Sequence, residues 1–266
     1  MKKKKYLVDT TLRDGEQSPG YAFTMDQKAV LAVLMERAGI HQIEAGIPAM
    51  GSYEKETICK IMENRRRIRV STWNRMNKED IRHSFDCSPD IIHISAPVSY
   101  VHIYSKLKKN KIWLLKNLQE CVSMAREKDY TVTVGFEDAS RADITFILSM
   151  VTTLKEMGVS TIRFADTVGV LTPSRTYQAI KEIKNHSDIS VGIHAHNDFG
   201  MAVANSLEAA KAGAEYIDTT LWGIGERAGN CDLNQFIAAA EHIFDIRPSR
   251  VDANILKEKA AEILFK

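Results

Sequence analysis

Short apolar runs rich in β-branched residues alternate along the chain with longer segments in which apolar residues recur every three or four positions. Runs of the first kind predict strands, and segments of the second kind predict amphipathic helices. Eight strands are predicted, at residues 6–13, 41–47, 68–73, 91–98, 131–137, 161–167, 191–196 and 216–222. Helices are predicted at residues 25–38, 53–64, 78–85, 111–127, 142–157, 173–185, 201–212 and 254–265.

The alternation of strands and helices predicts parallel strands joined by right-handed crossovers. Eight such units close into a (β/α)8 TIM barrel, an α/β fold. An open doubly wound sheet is the alternative, but no G-x-G-x-x-G motif follows the first predicted strand. We therefore expect a (β/α)8 catalytic barrel over residues 1–245 and a short C-terminal helical extension over residues 246–266, without a full C-terminal lid domain.

The composition changes this picture little. The chain has 266 residues, of which 44% are hydrophobic, enough for one large core. Its 36 basic and 34 acidic residues give a net charge of +2, which provides no bulk reason to expect binding to nucleic acid or membrane. The lysine run at residues 2–5 precedes no long apolar segment, so we interpret it as a solvated tail rather than a targeting signal. Four scattered cysteines without a C-x-x-C pair indicate reduced thiols in a cytoplasmic protein.

Polar residues follow the predicted C-terminal ends of several strands, which is where enzymes with this fold carry their active sites. The first strand leads into the polar residues 10–17, and the second and fifth strands end near Glu44 and Glu137. The seventh strand ends in two histidines, and the eighth runs into a glycine-rich loop at residues 223–230. Their convergence on one rim of the barrel predicts a functional site there.

A metal site is predicted by three of these residues. His194 and His196 point to the same side of an extended strand because side chains alternate between its faces. With Asp14 they form a mixed oxygen and nitrogen ligand set for a divalent cation. Mg²⁺ or Mn²⁺ is the first expectation, and Fe²⁺ and Zn²⁺ also tolerate such a set. Asn230 is expected to ligate the cation directly or to lie beside it.

Further side chains on the same rim are candidates for catalysis, each with a structural alternative. Arg13 could stabilise an oxyanion or enolate, or form only a local ion pair with Asp14. Glu137 could act as a general acid or base, or support its neighbours. Glu44 has a similar functional interpretation, but a carboxylate at the end of a strand can also simply hold an arginine.

Strand alternation places Arg163 and Thr167 on one face, from which both could reach an anionic substrate. His93 could contact the substrate or be a hydrogen-bonded core histidine. Gln17, at the end of the first polar segment, is a further expected substrate contact. The histidines at positions 83, 102, 186 and 242 are interpreted as surface or packing residues.

Three separated motifs, at residues 9–17, 194–198 and 223–230, together resemble the DRE-TIM metallolyases. That family consists of (β/α)8 enzymes that make or break carbon–carbon bonds next to a metal-bound oxo acid, and its synthase branch joins acetyl-CoA to a 2-oxo acid. The resemblance implies site residues by position: metal ligands at Asp14, His194 and His196 with Asn230 close by, an enolate- or oxo-stabilising Arg13, a catalytic Glu137 and a substrate contact at Thr167.

Two further features narrow the resemblance to one branch of this family. Lyases of the family carry a catalytic cysteine in the loop after the eighth strand, and residues 226–228 lack one here, which favours a synthase. Residues 137–143 and 163–170 are most similar to the nitrogenase-associated homocitrate synthases, which implies acetyl-CoA and 2-oxoglutarate as substrates. We expect Arg163 to bind the distal carboxylate of 2-oxoglutarate. The alternative is the same chemistry on another 2-oxo acid, as in 2-isopropylmalate or citramalate synthases.

Relatives of this type continue past the barrel into a helical segment that covers the site, whereas this sequence ends at Lys266. Either a separate polypeptide completes the enzyme, or the chain is a fragment, or it is a barrel with reduced activity. We favour the first, and expect a second subunit that supplies the lid, a homo-oligomer, or both. The apolar residues of the last predicted helix should need a surface to pack on; they are Ile255, Ala260, Ile263 and Leu264. A non-catalytic subunit that binds metal and oxo acid is the alternative of another class.

Overall fold

Eight parallel strands form a closed barrel in sequence order in the computed structural model, which describes residues 2–265. The barrel closes because β8 pairs with β1, for example Val8 with Asp218. The (β/α)8 prediction is confirmed. The strands are β1 Tyr6–Asp9, β2 Gln42–Gly46, β3 Arg69–Arg75, β4 Ile91–Pro97, β5 Thr131–Glu137, β6 Thr161–Asp166, β7 Ser190–Ala195 and β8 Tyr216–Thr219.

Helices follow the strands and cover the outside of the barrel. They are α1 Met25–Ala38, α2 Ser52–Asn64, α3 Lys78–Phe85, α4 Lys111–Arg126, α5 Ile144–Glu156, α6 Pro173–His186, α7 Ala202–Ala212, α8 Leu233–Ala240 and α9 Arg250–Leu264. The sequence pattern did not predict α8, whose eight residues come directly after the glycine-rich loop. Among the described residues, no helix is both long and apolar enough to cross a membrane.

Local sequence signals set the bounds of α1. Thr24 begins the helix with a capping box, in which its side chain accepts from the backbone of Gln27 and the Gln27 side chain accepts from the Thr24 backbone. Gly39 ends the helix at φ 96°, a left-handed conformation that glycine adopts without steric cost. β2 begins three residues later, at Gln42, so the end of α1 is close to the start of the next strand.

The first and eighth strands are shorter than predicted, and the seventh begins and ends one residue earlier than predicted. Residues 10–14 form a turn in which three backbone N–H groups donate to the Thr10 carbonyl, so Asp14 lies above the end of β1 rather than on it. His196 lies just past β7 and forms a bridge with Asn230. These strands therefore end before the polar rim residues that the sequence pattern had assigned to them. The backbone groups of those residues form hydrogen bonds with loops instead of with neighbouring strands.

The last helix has a packing surface within the chain. α9 lies against α1 and α8 and buries Ala253, Leu256 and Ala260. Gln27 also donates a hydrogen bond to the Ile263 carbonyl, at 3.0 Å. The chain itself therefore supplies the packing surface for Ala260, which is fully buried, and for Leu264, which packs against the core, whereas Ile255 remains 43% exposed.

Candidate active site

A cavity of about 520 Å³ opens at the C-terminal ends of the strands, where the sequence predicted the site. The fold brings together at this cavity residues that are far apart in the sequence. The lining includes Arg13, Asp14, Gln17, Trp73, His93, Lys106, Trp113, Glu137, Arg163, Thr167, His194, His196 and Glu226. Charged and polar side chains form part of this lining, and Trp73 and Trp113 supply apolar surface. Such a mixture suits a polar ligand with an apolar arm.

Asp14, His194 and His196 meet at the floor of the cavity, and all three are buried. Nε2 of His194 lies 3.1 Å from Oδ2 of Asp14 and 3.3 Å from Nε2 of His196. Nε2 of His196 lies 3.8 Å from the same Asp14 oxygen. The predicted metal trio is therefore assembled, with one donor atom from each residue facing a common point.

These three residues fit a divalent cation. Atoms held about 2.0–2.2 Å from one ion lie roughly 3–3.5 Å from one another, close to the separations found here. One carboxylate and two imidazoles leave open positions for water or substrate. Asn230 lies beside the trio, and its amide nitrogen donates to Oδ1 of Asp14 at 3.0 Å. A Cβ at Gly225 would overlap the Asn230 side chain, so only glycine lets the loop pass this close.

Burial and neighbouring charged groups shift the pKa values of all three residues of the trio. Burial opposes the charged form of His194, but hydrogen bonds to Asp14 and Asp218 outweigh it and raise its pKa to about 9. Burial and the adjacent His194 lower the pKa of His196 to about 3. Burial also disfavours ionised Asp14, yet Arg13 and His194 hold the pKa of that carboxyl well below its usual range. The carboxylate is therefore ionised and ready to bind a cation.

A buried chain of ion pairs extends from the trio across the barrel. Nε of Arg163 lies 2.9 Å from Asp218, and Nη1 of the same residue lies 2.8 Å from Glu44. The other oxygen of Glu44 is 2.6 Å from Arg13, whose Nη1 reaches Asp14 at 3.0 Å. Because each arginine binds two carboxylates, the network holds Arg13 rigidly against the cavity wall. This arrangement keeps a fixed positive charge next to the trio.

Glu44 and Arg163 both form ion pairs within the protein, although both were predicted as substrate contacts. Glu44 is fully buried beneath the two arginines and is not among the residues that line the cavity, which agrees with its alternative interpretation as a carboxylate that holds an arginine. Its role as a substrate contact stays a prediction. The two arginines hold the pKa of Glu44 well below its usual value, although burial alone would raise it. Arg163 lines the cavity while two of its nitrogens bind carboxylates. Its role as a substrate contact stays a prediction.

Glu137 lies at the side of the cavity within a second group of polar residues. Its Oε1 is 3.0 Å from Nδ1 of His102 and 3.2 Å from Nζ of Lys106. Oγ of Ser95 donates to Oε2 at 3.5 Å. Nε2 of His102 is also 3.7 Å from Asp138, so this imidazole lies between two carboxylates. His102 was interpreted as a surface or packing residue, and these two contacts were not predicted.

His93 and Thr167 line the cavity as predicted, but each also has a protein partner. Nδ1 of His93 is 2.8 Å from Oγ1 of Thr133, and burial with Arg163 nearby lowers its pKa well below the usual value. His93 is therefore a neutral ring on the cavity wall. The Thr167 hydroxyl accepts from the Asp138 backbone at 2.8 Å. Gln17 reaches the same wall, with Oε1 3.5 Å from Nη1 of Arg13. Their substrate contacts stay predictions.

The loop after β8 carries no reactive thiol into the cavity. Cys231 follows Asn230 directly, but it is fully buried, and burial raises the pKa of its thiol to about 12. Arg227 instead binds Asp198 and the Thr167 carbonyl across the rim. This loop therefore fixes the rim of the site and supplies no nucleophilic sulfur.

Solved structures and sequence relatives share this architecture. The structure of HMG-CoA lyase from Bacillus subtilis superposes with a TM-score of 0.85 at 16% identity, covering 99% of this chain and 95% of that one. Homocitrate synthase subunit alpha of Clostridium pasteurianum is 45% identical over 257 residues, which are 97% of this chain and 96% of that protein. 2-Isopropylmalate synthase 2 of Caldanaerobacter subterraneus is 43% identical over 90% of this chain but only 62% of its own length.

The sequence motifs resembled the DRE-TIM metallolyases, and the comparisons agree. The family model described as HMGL-like matches residues 4–261. The metal trio, the arginine beside it and the glycine-rich loop all lie within the matched range. The chain belongs to the HMGL-like family.

Proposed function

We propose that this chain is the metal-binding barrel of a homocitrate synthase, which condenses acetyl-CoA with 2-oxoglutarate and hydrolyses the thioester to give homocitrate and CoA. The observation that carries this proposal is the buried trio of Asp14, His194 and His196 on the floor of an open cavity, next to the fixed charge of Arg13. The similarity to a homocitrate synthase subunit over nearly its whole length supports the choice of reaction.

A divalent cation held by the trio would supply Lewis-acid polarisation of the keto group of the oxo acid. Arg13 points its guanidinium into the same end of the cavity, held by Glu44 and Asp14. Its role is to stabilise the negative charge that develops on oxygen as the new carbon–carbon bond forms. Arg13 needs no reorganisation for this, because both carboxylates already fix its orientation.

Glu137 lines the cavity but does not belong to the metal trio, so we assign it a role in proton transfer rather than in metal binding. In our proposal it accepts a proton from the methyl group of acetyl-CoA, and the resulting carbon nucleophile attacks the polarised keto carbon. His102 and Lys106 lie against the same oxygen and hold the carboxylate in place. The proton held by Glu137 is then passed through water to the oxygen of the former keto group, and hydrolysis of the thioester by water gives the new carboxylate and releases CoA as its thiol.

A second polypeptide is part of this proposal. The Clostridium relative is named as a subunit, and this chain matches 96% of it, whereas it matches 62% of the 2-isopropylmalate synthase. We propose that the partner supplies the lid that covers the open cavity. The four free cysteines are consistent with a reducing compartment, so we place the assembly in the cytoplasm.

A 2-isopropylmalate synthase is the second candidate, because that relative is 43% identical. The two reactions differ in the distal end of the oxo acid, which is a carboxylate in one and an isopropyl group in the other. Arg163 and the neutral His93 on the cavity wall favour a polar distal end. This candidate predicts that 2-oxoisovalerate is preferred over 2-oxoglutarate.

The test is CoA-thiol release by the purified chain, with acetyl-CoA, a divalent metal and in turn 2-oxoglutarate, 2-oxoisovalerate and pyruvate. Turnover with 2-oxoglutarate that disappears in His194→Ala is the expected result. Preference for 2-oxoisovalerate would replace the proposal by the second candidate. Metal binding without turnover on any oxo acid, both alone and with the partner subunit added, would identify a non-catalytic binding subunit.

A further inference from the structure

A lysine-rich segment contributes residues to the lining of the cavity. We define it as residues 104–113, between β4 and the first turns of α4. It contains Lys106, Lys108, Lys109 and Lys111, and residues 99–119 contain no aspartate or glutamate. The chain as a whole is nearly balanced, with 36 basic and 34 acidic residues, so this is a local excess of positive charge.

Not all of these lysines are neutralised by the protein. Lys106 pairs with Glu137, and Nζ of Lys111 lies 3.6 Å from Asp143. Lys108 and Lys109 are exposed, and within residues 2–265 neither forms an ion pair with a carboxylate. Lys108 also has φ 54°, a left-handed conformation that costs free energy in a residue other than glycine. The fold therefore holds two unneutralised ammonium groups at this position.

Aromatic rings accompany the charges. Trp113 is 37% exposed, and Nζ of Lys109 lies 5.2 Å from the centre of its ring. Tyr100 and Tyr104 stack on each other at 4.9 Å with more than 40% of each side chain exposed. Exposed rings next to free cations form a surface that binds heteroaromatic bases by stacking and phosphates by charge.

The lysine-rich segment is continuous with the reaction site. Lys106, Leu107 and Trp113 line the same cavity as Arg13 and Asp14. Its volume of about 520 Å³ is in the range that holds a drug-sized ligand, and it exceeds what a five-carbon oxo acid needs. Leu107 lines the cavity and directly precedes Lys108 and Lys109 in the sequence, so a ligand in the cavity that extends past Leu107 can reach these lysines.

We propose that the lysine-rich segment binds the phosphorylated adenosine moiety of the acyl-CoA substrate. The adenine lies against Trp113, the phosphates contact Lys108 and Lys109, and the apolar arm passes Leu107 to bring the thioester to Arg13. This inference rests on the proposed function, because it assigns a place to one of its two substrates. It adds a nucleotide site that is separate from the metal trio.

The first test measures direct binding and does not need turnover. Isothermal titration of the full chain with adenosine 3′,5′-bisphosphate should give saturable binding that weakens as ionic strength rises. In Lys108→Ala/Lys109→Ala, binding should weaken at least about tenfold, since two charged contacts are removed. The matched control is Lys181→Ala/Lys259→Ala, which removes two exposed charges from the outer helices α6 and α9 and should bind like the unchanged chain.

The second test asks whether Lys108 and Lys109 act on the nucleotide part of acetyl-CoA or on its thioester end. The Michaelis constant for acetyl-CoA should rise about tenfold in the double variant, whereas kcat and the constants for acetyl-pantetheine and the oxo acid should not change. Absence of saturable nucleotide binding, or equal binding by the variant, overturns this inference whatever the activity. Nucleotide binding through Lys108 and Lys109 without condensation on any oxo acid keeps this site and rejects the proposed reaction.

Discussion

The Asp218 carboxylate lies 3.0 Å from Nδ1 of His194, on the opposite edge of the imidazole from Asp14. A carboxylate in this position fixes the ring orientation and directs Nε2 toward the cation site. Asp218 is itself held by Arg163, so the ligand is positioned by the ion-pair network of the barrel interior. The metal site therefore depends on Asp218 and Arg163 as well as on the three residues that form it.

We expect Asp218→Asn to reduce affinity for the divalent cation by about 10–100-fold, because the amide supports the imidazole less strongly than the carboxylate does. Isothermal titration of Mn²⁺ into the metal-free chain measures this directly. Asp188→Asn is the control, since Asp188 pairs with Lys155 at the exposed end of α6. Equal Mn²⁺ affinity of the Asp218 variant and the unchanged chain would show that His194 needs no such support.

His102→Ala should lower kcat for homocitrate formation by about 10–100-fold, because the imidazole lies 3.0 Å from the proposed proton acceptor Glu137. Mn²⁺ affinity should not change, since His102 does not belong to the metal trio. His242→Ala is the matched control, because that side chain is 81% exposed on the outside of the barrel. A similar kcat in both variants would remove His102 from the reaction.

The sequence predicted the barrel and the metal trio but not the contacts that position them. His194 and His196 could be predicted because strand alternation is a local rule, and Asp14 because it follows the first strand on the same rim. Asp218 was missed, although a charged residue inside an apolar strand of a barrel indicates an inward-facing partner. The role of Glu44 could not be decided, since its two arginines come from different strands and meet only when the barrel closes.

His102 was missed for a different reason. It lies in a short π-helical turn, Val101–Lys106, and the path of that turn determines which carboxylate the imidazole faces. No periodic pattern predicts such a path, because loop geometry depends on contacts with residues distant in sequence. The hydrogen bond from Ser99 to Asp138 is one such contact, and it ties the start of this turn to the end of β5.

Arg163→Lys tests the predicted recognition of the distal carboxylate. Lysine keeps the positive charge near Glu44 and Asp218 but cannot bind both of them and a substrate through a planar fork. We expect the Michaelis constant for 2-oxoglutarate to rise about tenfold or more, and the constant for 2-oxoisovalerate, which has no distal carboxylate, to stay unchanged. An equal change for both oxo acids would assign Arg163 to the network alone.

Asp9 makes the stability of the metal-free chain depend on pH. Burial raises the pKa of this fully buried carboxyl to about 7, and its Oδ1 accepts from the Thr11 backbone at 2.9 Å. An aspartate in the unfolded chain ionises near pH 4. Between about pH 4 and pH 7 the folded chain therefore retains a proton that the unfolded chain has released, and the free energy of unfolding falls as pH rises through this window.

Asparagine cannot ionise, and its side-chain oxygen can keep the bond to Thr11, so Asp9→Asn should remove this pH dependence. The variant should be more stable than the unchanged chain at pH 8 by on the order of 4 kcal/mol, since the pKa differs by about three units between the folded and unfolded chains and each unit corresponds to about 1.4 kcal/mol. At pH 4 the two should unfold at nearly the same temperature, because both carry a neutral group at this position. Thermal unfolding followed by circular dichroism in the presence of a chelator measures the difference, and Asp129→Asn, at an exposed position, is the control. A stability gain that is the same at pH 4 and pH 8 would mean that packing, rather than ionisation of Asp9, causes it.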